Sequence, residues 1–294
     1  MSPAYPSILD ELGLGAPTRV APVGGGCIAD ARIAVFENGV RVFVKTAAHH
    51  AEMFSREAEG LRALAESAAL RVPEVLAVSP EGLVLELIET GSRAPEFYES
   101  FGRGFARLHE FRGKACGFAH DNYIGSTPQP NRPVDQDWEE AEDRDGLGWP
   151  GVFLQRRLRF QARLASQHGF PDMVRLLDQA EARIVELLEP AMEAPSLLHG
   201  DLWSGNYLVD ECGQACLIDP AAYFGHREAD LAMTRLFGGF EARFYSAYQE
   251  ALPLAYGHEQ RLPIYQLYHL LNHLNLFGSS YYHQSRGILQ RLAA

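Results

Sequence analysis

The chain of 294 residues has no run of 18 or more apolar residues, so no segment reads as a membrane-spanning helix. Its opening, MSPAYPSILDELGLG, lacks a basic stretch followed by an apolar one, so no secretory leader is read and a cytoplasmic location is expected. Cysteine is scarce: Cys27, Cys116, Cys212 and Cys216 include no C-x-x-C pair and no neighbouring histidine at metal-ligand spacing, which argues for reduced thiols and against structural zinc. Cys212 and Cys216 are expected to pack as small hydrophobes across a turn. Basic residues are in the minority, 26 Lys and Arg against 38 Asp and Glu, for a formal charge of −12. A nucleic-acid partner demands a basic face and is not expected. A phosphorylated ligand remains compatible, because nucleotide sites carry their positive charge locally, through one lysine, backbone N–H groups and a metal. No internal repeat is found.

What is present suits a globular protein of one large or two modest domains, with 47% hydrophobic and 22% charged residues. The most informative stretch is Leu197 to Pro220, LLHGDLWSGNYLVDECGQACLIDP. Asp201 is followed five positions later by Asn206, and Asp219 closes a second apolar run. A carboxylate beside a hydroxyl can take or orient its proton, and a carboxylate with an amide oxygen makes a hard-oxygen site suited to Mg²⁺. GDLWSGN reads as a loop between short buried strands, and the spacing is that of a phosphotransferase loop, where positioning and charge neutralisation do most of the catalysis. As a bare pattern, D-x-x-x-x-N is weak; the flanking strands and the tight turn at Glu211 to Gln214 strengthen it.

Toward the N-terminus, Thr18 to Val23 is β-compatible and is followed by Gly24, Gly25, Gly26, Cys27 and Ile28. Such glycines either let backbone N–H groups approach a phosphate or simply form a turn. Ala31 to Phe36 and Val40 to Lys45 flank Glu37-Asn38-Gly39, a hairpin signal, so a three-stranded antiparallel piece is expected. Alternation puts Val40, Val42 and Val44 on one face and Arg41, Phe43 and Lys45 on the other. A helix is expected over His49 to Ser67, with Met53, Leu61 and Leu64 on its apolar stripe and Glu57 within it. A carboxylate there needs a cation, either Lys45 or, at the edge of the stripe, Arg56 or Arg62. Two further strands, Val75 to Val78 and Leu83 to Ile88, lead to a boundary between lobes near residue 90.

The remainder is mainly helical. Pro95 to Glu110 carries Phe97, Phe101, Phe105 and Leu108 on one face, with His109 read as structural. Phe111 to Trp149 is irregular and is a candidate acceptor-binding insert. Val152 to His168 is expected as a helix whose Arg156, Arg157, Arg159 and Arg163 mostly form a solvated face. Asp172 to Leu188, His226 to Phe237, Phe244 to Leu254 and Pro263 to Leu276 complete the helices. Asp230, near the start of one of them, is read as a cap or a brace for a neighbouring loop.

Taken together, GGGCIADARIAVFENGVRVFVK, REAEGL, LVLELIE, FGFAHDNYIG, HGDLWSGN, LIDPA and GHREADLAM resemble the fructosamine (ketosamine) kinases, over nearly the whole chain. The resemblance implies an α+β, bilobal protein-kinase-like fold: an antiparallel-sheet lobe over residues 1–90 and a mainly helical catalytic lobe over 91–294. It implies an ATP- and Mg²⁺-dependent kinase acting on a hydroxyl, the 3-hydroxyl, of a small-molecule or protein-bound ketosamine such as a ribulosamine, erythrulosamine or fructosamine. Matched position by position, Asp201 would orient or deprotonate the hydroxyl, and Asn206 and Asp219 would hold Mg²⁺. Lys45, steadied by Glu57, would contact ATP phosphates covered by Gly24, Gly25, Gly26, Cys27 and Ile28. The backbone of Glu86 and Ile88 would bind adenine, and Trp203 would stack on the sugar, its alternative being a packing residue. Cys27 in the glycine loop is either a redox-sensitive thiol or an inert turn residue. Two departures from protein kinases are Gly200 before the catalytic aspartate and Pro220 after Asp219, which count against an activation loop. The rival readings are a kinase for an aminoglycoside, choline or homoserine, sharing the ATP-site residues, and an inactive nucleotide-binding scaffold. Nothing in the sequence bears on oligomeric state.

Overall fold

The alternation over Val40 to Lys45 and the hairpin signal before it are realised in a five-stranded antiparallel sheet. Its strands are β1 (Arg19–Pro22), β2 (Asp30–Val35), β3 (Arg41–Thr46), β4 (Val75–Ser79) and β5 (Gly82–Glu86), in spatial order β1-β2-β3-β5-β4. The computed structural model describes residues 5–23, 30–46, 52–132 and 148–294. The β2–β3 turn forms as its residues dictate: Gly39 takes φ +82°, and Asn38 Oδ1 accepts the Val40 N–H at 3.0 Å. The three-stranded piece expected from the sequence is thus part of a larger sheet, because β5 pairs with β3.

Each face of the sheet buries its own apolar cluster. On one, Val42 and Val44 pack with Phe36, Val84 and the 3₁₀ residues Ile8 and Leu9. On the other lies helix α1 (Met53–Glu66), whose Phe54, Ala58 and Leu61 meet Leu83 and Leu85. Phe54 occupies the buried position expected of Met53, a shift of one residue in the stripe. Lys45 alternates onto this α1 face, as its place in the strand requires.

The rest is organised around α2 (Phe97–Glu110), whose Phe97, Phe101, Phe105 and Leu108 enter the largest core cluster. Burying each such phenylalanine contributes about 1.5–3 kcal/mol. Two short antiparallel strand pairs, one enclosing the other in the chain, carry the central stretch. β8 (Ser196–Leu198) pairs with β11 (Tyr223–Gly225), and β9 (Tyr207–Val209) pairs with β10 (Ala215–Leu217). Around them stand α5 (Asp172–Leu188), α6 (Glu228–Thr234), α7 (Ala242–Ala251), α8 (His258–Phe277) and α9 (Tyr282–Leu292). No helix among the described residues is long and apolar enough to cross a membrane.

Three expectations are corrected. The stretch Phe111 to Trp149 is not wholly irregular: β6 (Asn122–Ile124) and β7 (Thr127–Gln129) form a hairpin with Asn122, Gln129 and Asn131 buried. Its acidic part lies within residues 133–147, outside the described residues. The arginine face of the next segment is not mostly solvated. That segment runs as α3 (Gly148–Val152), a π-helical turn Phe153–Arg159 and α4 (Phe160–Gln167). The wide turn brings Arg157 inward to 1% exposure, its guanidinium 4.1 Å from the Tyr223 ring centre and its Nη2 donating to Asn131 Oδ1 at 2.6 Å. Arg163 alone of the four is fully on the surface. Lastly, Cys216 is buried as expected but Cys212 is exposed, since it falls in the turn where its N–H is taken by Asp210 Oδ1.

Candidate active site

The site forms where the α1 face of the sheet meets the loop between β8 and β9. Lys45 reaches across this junction. Its Nζ donates to Glu57 Oε1 at 2.7 Å and to Asp219 Oδ1 at 2.5 Å, and no arginine takes Glu57 instead. Burial opposes charge on Lys45, but the Glu57 and Asp219 carboxylates outweigh it and its pKa is raised. At Glu57, burial outweighs the pull of Lys45 and raises the pKa. The ammonium is therefore held charged between the Glu57 carboxylate, 18% exposed, and that of Asp219, 46% exposed.

The loop from His199 to Asn206 is tied down atom by atom. Asn206 Nδ2 donates to the Asp201 carbonyl at 2.8 Å and to Asp201 Oδ2 at 3.2 Å. The Ile218 N–H donates to the Asn206 carbonyl at 3.1 Å, and the Ala221 N–H to the His199 carbonyl at 2.9 Å, so the loop and the Asp219 segment are tied to each other on both sides of Asp219. His199 adds a third tie, donating from Nε2 to the Ile218 carbonyl at 3.0 Å and accepting the Asp201 N–H on Nδ1. The tautomer is assigned from those partners, and burial keeps the ring neutral by lowering its pKa.

Behind the loop, Asp230 accepts the His199 N–H at 2.7 Å and the Gly200 N–H at 2.8 Å. His109 Nε2 donates to the same carboxylate at 3.3 Å, while its Nδ1 accepts from the Tyr248 hydroxyl at 2.8 Å. The expected bracing role of Asp230 and the structural role of His109 are what the geometry shows. Gly200 also has a physical reason: φ is +84°, and a Cβ there would sit 2.0 Å from the Ala221 carbonyl oxygen. Gly200→Ala is therefore expected to cost about 3 kcal/mol in strain and to depress turnover, checked by denaturant unfolding beside a kinetic assay; a variant of unchanged stability would refute that requirement.

Asp201 is 20% exposed, and burial followed by the nearby Asp219 charge pushes its pKa well above the ordinary carboxylate range. Asp219 itself takes φ +55°, a left-handed conformation uncommon outside glycine. Asn206 spends its amide nitrogen on Asp201, and among the described residues no hydrogen bond takes up its Oδ1. As a donor set, the Asn206 amide oxygen and the Asp219 carboxylate are of the kind that fits a hard divalent cation. Among the described residues, no group of three or more His, Cys, Asp or Glu is placed to hold a metal ion.

Trp203 is 38% exposed, its indole lying over Gly205 with an edge contact to Phe237 at 6.2 Å between ring centres. Glu86 ends β5; its N–H is spent on the Glu74 carbonyl, and its carboxylate pairs with Arg71 at 2.7 Å. Arg71 also holds Asp210 and Glu211, linking the sheet to the β9–β10 turn. Ile88 follows the strand, and among the described residues its N–H has no hydrogen-bond partner. Gly24, Gly25, Gly26, Cys27 and Ile28 lie outside the described residues.

Several contributors escaped the sequence reading. Gln129 Nε2 donates to the Ala221 carbonyl and Asn122 Nδ2 to the Ala222 carbonyl, so the β6–β7 hairpin supports the backbone just after Asp219. His199 stands within the HGDLWSGN motif, but no role was read for it, and its ties to the Ile218 carbonyl and the Asp201 N–H appear only in the structure.

A model of the fructosamine kinase family matches residues 8–294. The chain belongs to the fructosamine kinase family. It is 38% identical over 288 residues to the probable ketoamine kinase of Synechocystis sp., covering 94% of this chain and 92% of that protein. It is 39% identical over 285 residues to the chloroplastic protein-ribulosamine 3-kinase of Oryza sativa subsp. indica, covering 92% and 78% respectively. A crystal structure of the Thermobifida fusca protein assigned as a fructosamine-3-kinase superposes with a TM-score of 0.85 at 32% identity, over 99% of both chains. The fructosamine kinase family has the two-lobed protein-kinase-like fold, and the expected α+β class holds: an antiparallel-sheet part followed by a helical part.

Proposed function

We propose that this fructosamine kinase family member transfers the γ-phosphoryl group of ATP to the 3-hydroxyl of a ketosamine, a sugar carried as a 1-amino-ketose on an amine, and so acts in deglycation. The observation that carries the reading is the Lys45–Glu57–Asp219 cluster facing the loop that holds Asp201 and Asn206. These are the parts phosphoryl transfer needs, namely a cation for the phosphates, oxygen ligands for a metal, and a carboxylate for the nucleophile.

Asp201 takes the proton as the sugar oxygen attacks phosphorus and the bond to the ADP oxygen breaks. Lys45, kept charged and aimed by Glu57, contacts the phosphates, which the Gly24 to Ile28 loop covers. Asn206 and Asp219 hold Mg²⁺, which when bound neutralises developing phosphate charge. The Glu86 carbonyl and the free Ile88 N–H receive the adenine edge, and the half-exposed Trp203 indole supplies a flat apolar face for the sugar. Residues 1–90 and 91–294 form the two lobes, and the reduced thiols and acidic balance suit a cytoplasmic enzyme.

The test is ADP release and product mass with ATP and Mg²⁺ for ribulose-lysine, erythrulose-lysine, fructose-lysine, kanamycin and choline. Preferential phosphorylation of a ketosamine is expected. Transfer confined to kanamycin or choline would keep the ATP site and overturn the acceptor, while no transfer to any of them would overturn the assignment of both.

A further inference from the structure

Four histidines of the helical part are almost wholly buried: His109, His199, His226 and His269. Three are spent on the scaffold. His109 joins Tyr248 to Asp230, His199 joins the Ile218 carbonyl to the Asp201 N–H, and His226 joins the Ala191 carbonyl to the Glu228 N–H. His269, on α8 and 3% exposed, is different: its Nδ1 is shut off from solvent and has no hydrogen-bond partner among the described residues. That atom lies 3.9 Å from Asp201 Oδ1, too far for a hydrogen bond.

A buried polar atom without a partner is a net cost, and in a native fold it calls for an explanation. Burial, with His273 and Arg157 adding to it, pushes the ring's pKa down to about 3, so at neutral pH it offers a hydrogen bond rather than a charge. Asp201 is complementary. Its Oδ2 accepts from Asn206 Nδ2, whereas Oδ1 faces His269.

Resting on the proposed role of Asp201, we infer that His269 is a positioning residue: with substrates bound, its Nδ1–H donates to Asp201 Oδ1 and fixes the plane of the carboxylate. A contraction of about 1 Å from 3.9 Å brings the pair into hydrogen-bond range. Asn206 and His269 then hold one oxygen each, so the carboxylate cannot rotate away from the acceptor hydroxyl. An error of about 1 Å in such a group can cost 10²-fold in rate.

The experiment compares His269→Leu, of similar bulk without a donor, with His269→Asn, whose amide nitrogen can stand near Nδ1. For His269→Leu, kcat is expected to fall roughly 10- to 100-fold with the KM values for ATP and ketosamine within about twofold of the parent, and with Tm unchanged or raised, because the unpaired atom is gone. His269→Asn is expected to recover most of kcat. A near-parental kcat in His269→Leu, equal losses in both variants, a rise in KM alone, or a fall in kcat that follows a fall in Tm would each overturn the positioning role. Asp201→Asn is assayed alongside. If it too retains turnover, the base itself is misassigned; if only His269→Leu does, the positioning role alone fails.

Discussion

Replacing Asp201 with asparagine is expected to lower kcat by about 10²- to 10⁴-fold, the range contributed by a positioned general base. The substitution is nearly isosteric, and the backbone contacts that seat the residue are untouched, namely the Asp201 N–H to His199 Nδ1 and the Asp201 carbonyl to Asn206 Nδ2. The loop therefore keeps its shape while losing the oxygen that accepts the proton. Lys45, Glu57 and Asp219 are also unaffected, so ATP affinity is expected to stay within about threefold, since binding and proton transfer use different groups. Single-turnover phosphoryl transfer and an ATP titration on the same preparation separate the two effects. Near-normal turnover would remove Asp201 as the base, and a parallel loss of ATP binding would mean the loop had been distorted instead.

Asp230→Ala is expected to give the largest loss of stability of any single change near the site, about 3–5 kcal/mol, against a total of about 5–15 kcal/mol for a folded protein. Its carboxylate is 1% exposed and takes three donors, the N–H groups of His199 and Gly200 and the His109 ring. Truncation strands these in the core, each unsatisfied donor costing about 1–3 kcal/mol. The pH dependence follows with a definite sign. Burial tends to raise the Asp230 pKa, but His109, His199 and the Gly200 N–H together lower it. A depressed folded pKa means that the stabilisation is present above the unfolded value of about 3.9 and is lost as pH falls through the folded value. Urea midpoints from pH 7 down to pH 3 for parent and variant measure both effects. A midpoint change worth less than about 1 kcal/mol at pH 7 would show that the brace is dispensable.

The site residues that the sequence made legible are those whose roles depend on local spacing. Asp201, Asn206 and Asp219 lie within nineteen positions of one another, and two antiparallel strand pairs, β8–β11 and β9–β10, bring them together. Lys45 was placed by strand alternation and Glu57 by its anomalous position in an apolar helical stripe, and the 2.7 Å contact between them resolves the choice among Lys45, Arg56 and Arg62. Asp230 showed in its place at a helix start, although the atoms it braces did not.

Other features depend on contacts between residues far apart in the chain. Arg157 reads as one of four surface arginines until a π-helical turn rotates it onto Tyr223 and Asn131. The Gln129 and Asn122 side chains look like loop polarity, yet they hold the backbone after Asp219 from about 90 to 100 positions away. Gly200 was visible as a departure from protein kinases, but its cause, a carbonyl where a Cβ would stand, is a tertiary fact.

By itself, then, the sequence determined the class of fold, the loop that carries the chemistry and the residue types at its working positions, because strand period, helix period and turn residues act over a few positions. Only the tertiary structure decided which buried polar groups find partners and which do not: Asp230 meets loop amides, the Arg157 guanidinium meets the Tyr223 ring and the Asn131 amide oxygen, and His269 Nδ1 bonds nothing among the described residues, with the Asp201 carboxylate 3.9 Å away. Hydrogen bonding in a core is set by distances among segments remote in the chain, and no local pattern encodes those distances.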